Sequence, residues 1–386
     1  MAYLETTTKP KLRFELPASK PSICKRSDKD NIIHSSLFTI NDFNRLFKKY
    51  NNFTFIEKAL LLTFYQFQAR PDSTDWGSRT QLHIRSGDKV FNYDFGANYK
   101  FPLYRALLKL KEDKLIPKNL SHYIHIANKY LPKKILIQNQ LNQYLEEHKQ
   151  TFLKNQEIVD KFFKLDKPLQ KGETYLRSNI RLPRAKVKED ISFQTFTLDK
   201  NFTCSFDANL YKKGIFLINN KREYENYFGL FDKDGDYIFI ITKKVESVNK
   251  LYDTQTFAGM PSPALSPYCV FQDKEKRLSL MALNSRDPGQ LLYHLYNYKI
   301  QEVNNKTEVL NYFNFPRHQF LTNPSRLLYE SNKGSEEQLR YFLSLDFPVY
   351  HAEKLGAVFG LWQDSNNRTS FIGDQRVDVF QTCLEK

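Results

Sequence analysis

Three short segments near the middle of the chain carry residue types that suit one chemistry. Arg177 follows the extended run Thr174-Tyr175-Leu176, Thr195 and Thr197 alternate along Gln194–Asp199, and Glu225 closes Glu223-Tyr224-Glu225 at the entry to an apolar run. Breaking the nicotinamide–ribose bond of NAD passes through an oxocarbenium-like transition state, which a carboxylate beside the ribose stabilises. A guanidinium suits the pyrophosphate through its fixed fork of donors. Short hydroxyl side chains on a neighbouring strand orient the ribose and brace the carboxylate. Arg177, Thr195 with Thr197, and Glu225 meet those three needs. The same residue types also build ordinary sheets, because threonine favours strands and Arg–Glu pairs form between neighbouring strands.

The stretch resembles the mono-ADP-ribosyltransferase family, in the subclass marked by an arginine, a Ser-Thr-Ser strand and a Glu-x-Glu. Leu165–Gly172 leads into Tyr175 and Arg177 as the family's arginine strand is entered. Phe193, Thr195, Phe196, Thr197, Asp199 and Phe206 follow the second motif, with Phe196 at its middle threonine and threonines at its two serines. Glu223-Tyr224-Glu225 then leads into Asn226–Phe231. The likeness covers about residues 165–245. It implies transfer of ADP-ribose from NAD to a side chain of an acidic protein target, with Glu225 as catalytic carboxylate and Glu223 positioning the acceptor. Arg177, Thr195 and Thr197 would bind NAD. It also implies an effector or toxin acting in a host cytosol.

Other chemistries lack a partner residue. His351-Ala352-Glu353 matches the first zinc ligand and proton shuttle of nucleobase deaminases, but no Cys-x-x-Cys follows. His122 and His125 sit three apart on an expected helix with no third ligand nearby. Asp232-Lys233-Asp234-Gly235-Asp236 imitates the start of a calcium loop, but Lys243 occupies the position that needs a bidentate glutamate. No metal is expected. Glycine-rich phosphate loops and a Gly-x-Ser-x-Gly elbow are absent. Cys24, Cys204, Cys269 and Cys383 are widely spaced, so reduced thiols and a cytoplasmic setting are expected.

The formal charge of +15 leaves a second function open, a non-catalytic module that binds nucleic acid or a protein. Arg177, Arg181, Arg184, Lys186 and Lys188 beside Tyr175 form the best local patch, and Lys129–Lys134 form another. Lysine also rises with an AT-rich coding bias, which the abundance of Asn, Ile, Phe and Tyr matches. No apolar run is long enough to span a bilayer, and the first thirty or so residues lack the apolar core of a secretory signal.

The elements that must position these residues read as α+β, with a helical amino-terminal lobe, a mostly antiparallel β domain and a further α+β region. Residues 1–35 are expected to be loose, 36–165 helical, 166–250 β-rich and 251–386 mixed. Helical spacing marks Phe55–Phe67, Tyr104–Leu115 and Asn119–Tyr130. Pro132 is expected to open a long polar helix or helix pair reaching about Phe163. A hairpin is expected over Gln81–Tyr93, turning at Ser86-Gly87-Asp88. Strands are expected at Thr174–Leu176, Ile191–Thr197, Ile215–Ile218, Tyr227–Phe231, Tyr237–Thr242, Ser279–Leu283, Ala357–Trp362 and Ser370–Ile372, and helices at Gly289–Tyr298 and Ser335–Leu345.

Overall fold

The computed structural model describes residues 31–34, 46–87, 89–96, 101–183, 195–199, 202–205, 225–232, 236–244, 268–272, 278–283, 285, 287–303, 306–322, 325–346, 348–363, 369–374, 376 and 380–383. The protein is α+β and falls into two units. The first unit draws on Asp28–Phe193, Ile218–Leu265 and Phe380–Lys386, and the second takes in Gln194–Leu217 and Ser266–Val379. The units interleave along the chain, so the stretch read as one β-rich core over 166–250 supplies strands to both.

Helix α1 (Phe55–Ala69) is the centre of the first unit. Thr54 accepts a hydrogen bond from the Glu57 backbone while the Glu57 side chain accepts one from the Thr54 backbone, a capping box that satisfies two otherwise orphaned N–H groups. Ile56, Leu60, Phe64 and Phe67 recur at helical spacing and are all buried. The helix packs on a six-stranded antiparallel sheet of β1 (Asn31–His34), β2 (Arg79–Ser86), β3 (Lys89–Phe95), β10 (Glu225–Phe231), β11 (Tyr237–Lys243) and β19 (Phe380–Cys383), in the order β19-β1-β10-β11-β2-β3. Phe228, Leu230, Ile238, Ile240, Leu82 and Ile84 join one core with α1, α2 (Pro102–Glu112) and α3 (Leu120–Tyr130). Every residue of β11 is buried, which is why it reads as an unbroken apolar run without alternation. The β2–β3 hairpin turns at Gly87, whose φ of +60° suits glycine.

The expected long helix after Pro132 does not form. Strand β4 (Lys134–Leu136) is followed by three short helices, α4 (Asn139–Glu147), α5 (Lys149–Phe152) and α6 (Gln156–Phe162). The backbone turns after each of them because the apolar residues are too sparse for one long face, and Asn155 caps α6 with its own side chain. A small hairpin, β5 (Phe163–Lys164) and β6 (Lys167–Pro168), comes next, and β7 (Thr174–Leu176) pairs with β4. Strand β1 lies within the segment read as loose.

The second unit carries its own six-stranded antiparallel sheet, built from β8 (Thr195–Asp199), β9 (Phe202–Ser205), β12 (Tyr268–Gln272), β13 (Leu278–Leu283), β17 (Ala357–Gln363) and β18 (Thr369–Gly373) in the order β18-β17-β13-β12-β9-β8. Helix α7 (Pro288–Asn297) buries Leu291, Leu292 and Leu295 against Cys269, Phe271, Leu280 and Ala282, and α8 (Lys306–Asn314) adds Val309 and Phe313. Gly360 permits the close approach of β17 to β13, since a Cβ there would sit 1.9 Å from the Ser279 carbonyl oxygen. A smaller sheet of β14 (His318–Thr322), β15 (Ser325–Tyr329) and β16 (Val349–His351) carries α9 (Glu336–Leu343), which starts in a second capping box, Ser335 with Gln338. The expectation of reduced thiols fails at Cys269, which is disulfide-bonded. The residue facing it across β9 and β12 is Cys204.

Candidate functional site

One end of the first unit's sheet is polar. There β10 begins with Glu225 and Asn226, β11 ends with Thr242 and Lys243, and β2 begins with Arg79 and Thr80; the register sets Glu225 opposite Lys243 and Lys243 opposite Arg79. The loop Arg70–Ser78, which joins α1 to β2, closes over this end. Arg70 grips Asp72 through two donors, at 3.0 Å and 2.8 Å, and both side chains are almost fully enclosed. Asp75 receives Lys244 at 2.7 Å on one oxygen and the Gly77 backbone N–H and the Ser78 hydroxyl on the other. Thr74 and Thr242 share a hydrogen bond of 2.8 Å, and the Asn226 amide donates to Thr74 at 3.0 Å. Burial raises the Tyr144 phenol above its usual range, and the carboxylates of Asp72 and Asp75 raise it further. The groups are of the kinds that handle acyl and phosphoryl substrates, but apart from Arg70 Nη1 they bond mainly to one another, and the loop side chains are closed to solvent. This end therefore acts as a rigid frame.

The predicted site residues separate on the fold. Arg177 stands just after β7 in the first unit, where its guanidinium donates to the carbonyls of Asn128, Leu131 and Pro132 and so caps the carboxyl end of α3. Burial lowers its pKa from the usual arginine value. Glu225 opens β10 of the same unit, whereas Thr195 and Thr197 lie on β8, an edge strand of the second unit's sheet. Glu223, Arg184, Lys186 and Lys188 lie outside the described residues. The segment around Arg177 is pinned to the loop by Trp76, which donates to the Arg181 carbonyl at 2.8 Å, and to the end of α1 by Tyr175, which donates to the Gln68 carbonyl.

Two serine–base contacts were not singled out from the sequence. Lys161 donates to the Ser178 hydroxyl at 2.7 Å, and burial lowers its pKa to about 8 against an opposing pull from Glu157. Ser331 and His351 lie 2.8 Å apart on the surface of the second unit. Both pairs join residues distant in the chain, so no local spacing announces them. His122 and His125 face outward on α3, and no group of three or more His, Cys, Asp or Glu among the described residues could hold a metal ion. Among the described residues no helix is long and apolar enough to cross a membrane.

No protein-family model and no curated protein matches the sequence. Solved structures do share the fold. The cephalosporin acylase from Bacillus halodurans superposes with a TM-score of 0.57 at 9% identity, covering 97% of this chain and 99% of its own. LmbA2991HD superposes at 0.60 with 7% identity, covering 95% of this chain and 100% of its own, and LmbA2991T421A at 0.57 with 8% identity over the same shares. The chain thus shares the fold of these structures along nearly its whole length.

Proposed function

We propose that the chain cleaves or transfers an amide-linked acyl group, with a threonine hydroxyl of β8 as the attacking group. The observation that carries this reading is the end-to-end likeness to the cephalosporin acylase, in which neither chain has a large part without a counterpart. Likeness of fold is an analogy, so the chemistry has to be argued from residues. Amide cleavage needs a nucleophile that substrate can reach. Thr74 is fully enclosed and already bonded to Thr242 and Asn226, which removes it. Thr195 and Thr197 remain on the edge strand β8, and Thr195 at its start is the residue we assign.

The test is incubation of the chain with a panel of N-acyl amides, including side-chain amides of cephalosporins, followed by mass spectrometry of products and of the chain itself. The reading expects release of the amine and an acyl adduct on the peptide containing Thr195, both lost in Thr195→Ala. An adduct on Ser178 would move the chemistry to the Lys161 pair and overturn the assignment. Absence of turnover on every amide would sink the reaction class. ADP-ribosyl transfer remains the rival proposal, and it requires Arg177 to give up the carbonyls it now caps. Labelled NAD incubated with lysate in a parallel arm, with Glu225→Ala as control, separates the two.

A further inference from the structure

The β5–β6 hairpin turns through Leu165 and Asp166, with φ values of +48° and +57°. A two-residue turn of this kind favours glycine or asparagine, because the left-handed region brings a Cβ too close to the backbone. Leucine is a poor choice there, and this one is 98% exposed, so it packs against nothing. Neither turn geometry nor the core explains it. Backbone strain at an exposed apolar tip points outward, to something the tip meets.

Its surroundings say what. Lys164 and Lys167 flank the tip and Lys171 follows it, all three exposed. Glu173 offsets Lys164 through a bridge of 2.6 Å and Asp166 opposes one more charge, so these five residues keep a net charge of +1 carried by Lys167 and Lys171. That bridge ties the hairpin to the start of β7, whose outward residue Leu176 is 67% exposed and faces Lys134 across the β4–β7 register. Residues 101–183, the longer stretch that contains the hairpin, hold sixteen Lys and Arg against eight Asp and Glu, about half of the chain's net charge. A coding bias spread evenly along the chain does not produce that.

We propose that the β5–β6 hairpin docks the first unit on an anionic lipid surface, with Leu165 inserting between headgroups and the lysines holding the phosphates. A phosphate polymer would use the lysines and leave the leucine idle, whereas a bilayer uses both. This surface is independent of the acyl chemistry proposed above.

Co-sedimentation of the full chain with vesicles of phosphatidylcholine containing phosphatidylserine, against phosphatidylcholine alone, tests it. The chain is expected to pellet with the anionic vesicles and to be released by salt. Leu165→Asn suits the left-handed turn better, so the unfolding midpoint should hold or rise while partitioning falls roughly tenfold. Reversal of Lys167 and Lys171 to glutamate should weaken it by roughly fivefold per lysine. Failure to pellet with anionic vesicles, undiminished pelleting of Leu165→Asn, or retention of a single-stranded oligonucleotide without vesicle binding would each overturn the proposal.

Discussion

Both units bury charge, and they do it differently. In the first unit Arg70 and Asp72 are two residues apart, and their contact serves a single loop. In the second, Arg376 pairs with Glu330 at 2.5 Å and with Asp374 at 3.1 Å, while Arg317 reaches Asp374 at 2.5 Å. The same two arginines donate to the carbonyls of Phe313, Phe315, Leu355 and Gly356. Burial alone would raise the carboxyls of Glu330 and Asp374, but the arginine charges and hydrogen bonds hold both below their usual values. Charge in the second unit thus forms one network of two arginines and two carboxylates, whereas in the first it comes as separate pairs, Arg70–Asp72 within the loop and Asp75–Lys244 tying that loop to the end of β11. The lesson concerns vulnerability. A buried pair replaced whole by apolar groups is often tolerated, but removing one partner strands the other.

The sharpest way to break the comparison follows from this. Glu330→Gln leaves Arg376 with Asp374 but without its bidentate carboxylate partner and is expected to destabilise the second unit by about 3 kcal/mol. Asp75→Asn removes the ion pair with Lys244 in the first unit but keeps the Gly77 and Ser78 contacts, so a smaller loss of about 1–3 kcal/mol is expected. The chain has two tryptophans, Trp76 in the first unit and Trp362 in the second. Denaturant titration of single-tryptophan variants therefore reads each unit separately. Equal losses at both sites would remove the distinction.

Acid should sharpen it. Burial lowers the pKa of His83 in the first unit and of His294 in the second to about 4 in each case, and burial, with His294 beside it, pushes that of His318 well below its usual value. His83 is held between Asn92 and Tyr237, while His318 stacks on His294 at 4.3 Å with its Nε2 unpartnered. An imidazole whose folded pKa lies below its unfolded value of about 6.5 binds fewer protons when folded. Its contribution is therefore present above pH 6.5 and is lost as pH falls towards 4. For one such histidine the loss is about 3 kcal/mol. The second unit, with two, should unfold at the higher pH in an acid titration followed by Trp362. His294→Gln should flatten that titration.

The fold was largely legible because its main elements carry strong local signals. Helix α1 showed in apolar spacing, β10 and β11 in runs flanking a turn, and β17 in Ala357–Trp362. Strands β14 and β15 were missed because their identity rests on pairing with each other. The polar helices between β4 and β5 were misread because no apolar stripe specifies where one turn of helix should stop. The candidate site was less legible. Arg177 and Thr195 are close in sequence yet belong to different units, which no motif spacing conveys. Conversely, the loop Arg70–Ser78 meets Thr242 and Lys244 across a separation of 168 residues between Thr74 and Thr242, through contacts that only the sheet creates.

The gentlest comparison is between the two capping boxes, which were equally invisible as a pair. Thr54 with Glu57 starts α1, and Ser335 with Gln338 starts α9. Each alanine substitution, Thr54→Ala and Ser335→Ala, removes one side-chain acceptor and is expected to cost about 1 kcal/mol. The consequences should still differ. Helix α1 is buried along nearly its whole length, so packing holds its first turn even when a cap is lost, and Glu57 keeps a second bond to Tyr123 at 2.7 Å. Helix α9 buries only Phe342, so its first turn depends on the cap. Amide hydrogen exchange should therefore show fraying at the start of α9 in Ser335→Ala and little change at the start of α1 in Thr54→Ala. The reverse pattern would mean that local capping, more than burial, sets the order of these helices.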